Sequence, residues 1–349
     1  MRTWGRQEAD IKILEILNQF KYLRGKTILI KTGFKNSKRG YERLSELQRM
    51  GYIESQRYIR PINIGSKSKP VIIPKKVAAI YSLTAKGIQV IKEIHGEFVD
   101  GTERGNYLNP EDSEKLELIY RQSLLLEALS DIDFKPGRVW KQEQELSKFI
   151  KVDLVYQNQI LIFERAQTNT DRSTIKSHCE NLLADEKIKN VIILTRNLRN
   201  RNALAKWQAR NYGGRERIIT ETDHAEIGAV LENNIISAAE NFLSCRGYEI
   251  NKLKKPKDGY LYIINGEPAN IYDFVGTPIR PIRVTARNPI GKSYIIVGGQ
   301  SEANFISKQY PQLIDIGELL TLAEFKNVPI QQPPKPTQVT DTWIEAELW

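Results

Sequence analysis

Only two cysteines, Cys179 and Cys245, occur in the chain, too few for a disulfide framework, and that scarcity suits a cytoplasmic protein. The three histidines (His95, His178, His224) lie far apart in sequence and show no zinc-type Cys/His spacing. The histidine cluster with which relaxases hold their metal is also missing. No apolar run approaches the roughly 18 residues of a membrane span. The opening residues, MRTWGRQEAD, lack the apolar stretch of a signal peptide, so no membrane or export route is expected. There is no Gly-x-Ser-x-Gly elbow and no dinucleotide-binding fingerprint. The nearest approach to a nucleotide motif, Ala286–Ser293 (ARNPIGKS), has alanine for the first glycine of a P-loop. It also runs into YIIVGG, a strand-like string, where a P-loop would open a helix. Asn-Pro-Ile-Gly reads instead as a turn between two strands.

What the chain does have is a localised excess of cations. Its 349 residues are 40% apolar and 27% charged, ordinary for a soluble globular protein of two or three domains. The net charge of +10 is uneven: residues 1–92 hold 20 Lys plus Arg against 6 Asp plus Glu, and residues 93–349 hold 32 against 36. A surplus of 14 confined to the first quarter, against a deficit of 4 elsewhere, is the electrostatic footprint of a polyanion binder.

That basic quarter has the pattern of a winged helix-turn-helix. Gln7–Tyr22 reads as an amphipathic helix with Ile11, Leu14, Leu17 and Phe20 on its core stripe. Thr27–Thr32 supplies a short second helix despite its β-branched content, with Gly33 as the turn. In the following stretch, Asn36–Glu54, Tyr41, Leu44 and Leu47 share one helical face. Asn36 or Ser37 caps its start and Gly51 ends it in the left-handed region. A long wing, Glu54–Ser82, follows with a basic loop at Gly65–Lys69, then Tyr81–Ile91 (YSLTAKGIQVI), which resembles the wing end and next helix of many winged-helix domains. Helical readers insert the helix after this turn, here in Asn36–Glu54, into the major groove while the wing follows the backbone. Lys35, Asn36, Ser37, Lys38, Arg39 and Arg43 are therefore assigned to the groove or its flanking phosphates. Arg57, Arg60, Lys67, Lys69, Lys75 and Lys76 are assigned to phosphate alone.

After a linker, Glu93–Asp112, helices and strands alternate. Ser113–Ile132 is expected as a helix with a broad apolar face and Arg138–Trp140 as a short strand. Lys148–Tyr156 and Ile160–Ala166 are expected as strands joined by a Gln-Asn turn. Next come a helix (Asp171–Lys187), a buried strand (Asn190–Thr195), a helix (Asn197–Asn211) and a last strand (Arg217–Thr220). A third region from Ile235 opens with a helix, continues with short strands at YLYII, YDFV, IRVTA and YIIVGG, and closes with a helix, Leu313–Phe325. The expected fold class is thus α/β (α+β), with domains at 1–100, 110–225 and 235–328. A Pro/Gln-rich tail at 329–349 ends in DTWIEAELW, whose acids and tryptophans make it a candidate docking peptide for a partner protein.

Two acids carry the candidate chemistry. Asp153 interrupts the apolar run of KVDLVY and Glu164 that of ILIFERA. Carboxylates on adjacent strands joined by a tight turn can converge on a divalent cation such as Mg²⁺, whose ligands are hard oxygens. Their order and spacing resemble the core of the PD-(D/E)xK nuclease fold. Where that resemblance implies a lysine two residues after the second acid, the chain has Ala166. Lys151 and Lys176, with Arg165 and Gln167, are the candidate replacements. Together with the winged helix, VDLVY…ILIFERAQTNTDRSTIKSHCENLL resembles the replication-relaxation family of plasmids and conjugative elements over roughly residues 1–220. The resemblance implies a DNA binder acting in replication or transfer of mobile DNA, and since winged-helix proteins often dimerise on symmetric sites, a homodimer is expected. The alternatives are a Mg²⁺-dependent endonuclease steered by its winged helix, with Asp153 and Glu164 as metal ligands, and a transcriptional repressor.

Overall fold

A computed structural model describes residues 8–34, 37–63, 72–95, 112–147, 149–165, 169–205, 215–232, 234–257, 260–276, 291–309, 311 and 317–325. The chain is mixed α/β, with three sheets among the described residues. It forms two compact units, Met1–Leu231 with Gly276–Val284, and Glu232–Val275 with Thr285–Trp349. No described helix is long and apolar enough to cross a membrane.

The first unit opens with α1 (Glu8–Phe20), β1 (Tyr22–Arg24), α2 (Gly25–Lys31), α3 (Ser37–Arg49), β2 (Ile53–Asn63), β3 (Ile72–Leu83) and α4 (Ala85–His95). The three strands pair antiparallel in the order β1-β3-β2. Leu14 and Leu17 of the expected α1 stripe and Leu44 and Leu47 of α3 are buried, while Ile11 and Phe20 are only half-buried and Ile13, not on that stripe, is fully buried. Tyr41 is not part of that core: it remains 43% exposed, with the edge of its ring over Gly25. Helices α2 and α3 approach so closely that a Cβ on Gly40 would stand 2.6 Å from a Leu29 methyl group. Gly51 ends α3 at φ +75°, and the Tyr52 N–H donates back to Leu47 O at 3.0 Å. A side chain would be strained in that left-handed conformation, and glycine is not. The Thr84 hydroxyl accepts the Gly87 N–H at 3.2 Å and so caps α4.

The next helix, α5 (Ser113–Ala128), joins this sheet to the rest of the unit. Asp112 caps it by accepting the Lys115 N–H at 3.0 Å. Leu116 and Ile119 pack on Tyr58, Ala78 and Ile80 of the β2–β3 ribbon, and Tyr120 lies 5.4 Å from Tyr58, ring centre to ring centre. One turn on, the Ser123 hydroxyl accepts the Arg24 N–H at 3.2 Å, and Glu127 takes the Thr27 hydroxyl at 2.7 Å and Arg24 at 3.3 Å. The regions 1–100 and 110–225, expected as separate domains, therefore share one unit and a polar and apolar seam along α5.

A five-stranded sheet follows in the order β4-β5-β6-β7-β8, from β4 (Lys135–Pro136), β5 (Leu154–Tyr156), β6 (Gln159–Phe163), β7 (Asn190–Thr195) and β8 (Glu216–Thr220). Gln157 and Asn158, both at positive φ, make the tight turn between the antiparallel β5 and β6. Strands β6, β7 and β8 run parallel and are buried throughout, as a sheet covered on both faces must be. Ile160, Ile162, Val191 and Ile193 meet Trp140 of α6 (Gly137–Glu143), Ile175 and Cys179 of α7 (Asn169–Leu183), and Leu204 of α8 (Leu198–Ala205). By strand alternation Gln159 and Phe163 belong to the opposite face. There Gln159 donates to Leu231 O on α9 (His224–Glu232), and Arg121 of α5 lies 5.4 Å from the Phe163 ring centre. The strand expected at Arg138–Trp140 is helical: Pro136, which has no N–H for a ladder, ends β4, and Trp140 turns into the core.

In the second unit, α10 (Ile235–Cys245) accompanies a sheet ordered β13-β12-β11-β10-β9. Its strands are β9 (Ile250–Lys257), β10 (Tyr260–Ile264), β11 (Glu267–Asp273), β12 (Lys292–Val297) and β13 (Gly317–Thr321). Lys292 thus opens a strand, as a turn at Asn-Pro-Ile-Gly requires and a P-loop does not. The helix expected over Leu313–Phe325 contains β13, paired parallel to β12 with Leu320 fully buried, and among its described residues only Leu322–Phe325 is helical (α12, after α11 at Gln300–Gln309). Exposed strand edge on β12 outweighs the helical period of this short segment. The expected strand IRVTA and the tail at 329–349 lie outside the described residues.

Candidate nucleic-acid interface and the acidic strand ends

The cations assigned to the groove-reading helix, α3, and to the wing fall into three groups. Lys38 and Arg39 lie on the exposed face of α3, joined there by Glu42, Ser45, Gln48 and Arg49, which the sequence reading had not singled out. Lys35, Asn36, Lys67 and Lys69 lie outside the described residues, as does the side chain of Ser37. On the ribbon, Ile59 pairs with Lys76 and Arg60 with Lys75, and Arg57, Arg60, Lys75 and Lys76 are all exposed. Alternation puts Arg57 and Lys76 on one face of the outer ribbon and Arg60 and Lys75 on the other. Cations therefore flank this arm on both sides.

Arg43 does something else. Its guanidinium makes a forked pair with the Asp10 carboxylate of α1 and also reaches Glu46. The Arg43 side chain is 15% exposed and that of Asp10 3%. Hydrogen bonding to Asp10 is the first reason its pKa is raised. The side chain assigned to DNA thus ties α3 to α1, which helical spacing alone could not reveal.

At the acidic strand ends, Asp153 and Glu164 are close along the sheet but are held by different layers. The Asp153 carboxylate accepts the Phe163 N–H at 2.8 Å, Gln122 of α5 at 3.0 Å and Arg165 at 3.2 Å. Glu164 is fully buried and accepts Asn200 of α8 at 3.1 Å. Its own carbonyl accepts Arg121, which also pairs with Glu221 at 2.6 Å. Protein donors surround Asp153, Arg165 already supplies positive charge there, and among the described residues no group of three His, Cys, Asp or Glu stands together. Sequence spacing did not disclose Gln122, Arg121 or Asn200, although Arg121 interrupts the apolar face of its helix.

The candidate lysine replacements also separate. No contact among the described residues joins Lys176 to either acid, and Ala166 and Gln167 lie outside the description. Lys151 donates its backbone N–H to Nδ1 of His178 at 2.6 Å. That bond leaves the imidazole proton on Nε2. Burial lowers the His178 pKa first, and the charges of Lys151, Lys141 and Arg165 lower it further. Because the folded value lies below the ordinary 6.5, the folded state takes up this proton later than the unfolded chain. His178 thus contributes stability above pH 6.5 that is lost as pH falls below it. An NMR titration of the ring is expected to show a midpoint under 6.5, and a midpoint at or above it would contradict this assignment.

Comparison of the chain with protein-family models, curated proteins and solved structures finds no match.

Proposed function

We propose that the chain is a sequence-specific duplex-DNA-binding protein whose first seven elements act as a winged helix-turn-helix. The observation that carries this reading is the placement of exposed cations on α3 and on both faces of the β2–β3 arm, in the basic quarter of an otherwise slightly acidic chain. In such an arrangement α3 enters the major groove and the arm follows the backbone. Helix α5 then anchors the reading head to the larger sheet, which serves as an assembly or clamping platform. The resemblance to the replication-relaxation family points to an origin or transfer site of a mobile element as the target.

The test is footprinting and fluorescence anisotropy of the full chain on the element's own DNA, followed over salt concentration. A discrete protected site is expected, with affinity falling linearly against salt on logarithmic axes. Arg39→Ala is expected to cost about 1–3 kcal/mol on that site and less on random DNA. Failure to bind duplex in dilute buffer would sink the proposal. Mg²⁺-dependent nicking abolished by Asp153→Ala and Glu164→Ala would replace it with the endonuclease reading.

A further inference from the structure

Within the first unit, a cleft of about 330 Å³ opens between α2, α5 and the segment that joins β8 to α9. One wall is a single face of α5: Arg121, Leu124, Leu125 and Ala128 recur at the three- and four-residue spacing that stacks side chains along a helix. Leu125 is buried, while Leu124, 37% exposed, and Ala128 leave an apolar strip open to solvent. Thr222 and His224, both at least partly exposed, come from just past the carboxyl end of β8. Ligands of α/β sheets are received at that edge of the parallel strands.

The charges around the cleft do not cancel. Its two carboxylates are already engaged: Glu221 takes Arg121 at 2.6 Å, and Glu127 takes the Thr27 hydroxyl at 2.7 Å and Arg24 at 3.3 Å. Lys26 is left as the outer partner of Glu127. Its ammonium stops 3.6 Å away, beyond hydrogen-bonding distance, and its side chain is 57% exposed. Leaving His224 aside, Lys26, Arg24 and Arg121 stand against Glu127 and Glu221, three cations against two carboxylates. The surplus charge falls to the cation nearest solvent.

We infer that this cleft binds a small amphipathic monocarboxylate. The apolar strip takes the body, and Lys26 takes the head, with the Thr222 hydroxyl and the His224 imidazole as further donors. One negative charge cancels the surplus, whereas a cationic head would add to it. The volume is at the lower end for ligand pockets and suits a molecule well below drug size. The cleft shares no residue with the cations assigned to α3 and the β2–β3 arm, so its occupancy is measured without DNA.

Octanoate is titrated into the full chain by calorimetry, alongside octanamide and octylamine, which share its chain and differ only in the head. Octanoate is expected to bind saturably and more tightly than octanamide, with octylamine weakest, because charge-assisted hydrogen bonds are the stronger ones. Lys26→Ala is expected to weaken octanoate about tenfold and to leave octanamide unchanged. Leu124→Ser is expected to weaken both. Lys26 and Leu124 are exposed, so neither change opens the core, and circular dichroism checks each variant. Absence of saturable octanoate binding, tighter binding of octylamine, or octanoate affinity unchanged in both variants overturns the inference. Self-association that Leu124→Ser abolishes in sedimentation, with no octanoate bound by the unsubstituted protein, reassigns the strip to a second copy of the chain.

Discussion

Replacing Arg57, Arg60, Lys75 and Lys76 together by alanine is expected to lower duplex affinity by a factor of about 100 or more at moderate salt. The reason is counterion release. Each cation that neutralises a phosphate frees a condensed ion, and the logarithmic salt slope falls by roughly 0.9 per contact. If all four side chains meet the backbone, the slope falls by between about 3 and 4. The four sit on opposite faces of one ribbon, so a duplex lying along a single face engages about half of them. A loss of slope of about 2 would identify such one-sided docking. Because all four side chains are exposed, and Arg60, Lys75 and Lys76 lie beyond the ribbon's buried Tyr58–Ala78 pair, melting temperature should hardly change. Unaltered slope and affinity in the quadruple variant would remove the arm from the DNA interface. Anisotropy against salt on specific and random duplexes measures both quantities.

Arg43→Ala is expected to act on the fold, lowering stability by about 3 kcal/mol. Asp10 is the partner left behind, with a side chain only 3% exposed and a carboxylate that the forked guanidinium satisfies. A buried charge stripped of its counter-ion costs far more than the pair contributes, so the single substitution is the harmful one. The double variant Asp10→Leu/Arg43→Leu should recover much of the loss, since apolar groups of similar volume can replace a buried pair. Urea titrations of the wild type and both variants, followed by circular dichroism, give the ordering. If Arg43→Ala melts like the wild type yet binds DNA more weakly, its role is contact with DNA, and the ion pair is incidental.

Local features were legible in the residues alone. The burial of Leu14 and Leu17 on α1 and of Leu44 and Leu47 on α3, the left-handed end at Gly51, and the Gln157–Asn158 turn all depend on neighbours a few positions away. Strand β7 was expected at Asn190–Thr195 and lies there, because a fully buried parallel strand shows as an uninterrupted apolar run. Errors arose where local pattern was weak. Trp140 has the side chain of a strand residue but follows a proline that leaves the sheet. Leu319 and Leu320 have helical spacing with their neighbours but complete the edge beside β12.

The amino-acid order by itself determined where the cations concentrate, which stretches fold back as helix or ribbon, and that two carboxylates stand at adjoining strand ends. Which way those charges face was decided only by tertiary structure. Arg43 meets an aspartate 33 positions away, Asp153 a glutamine 31 away and Glu164 an asparagine 36 away. A charge forced toward the interior must find a compensating group wherever the fold brings one, and periodicity along one element holds no record of what arrives from another.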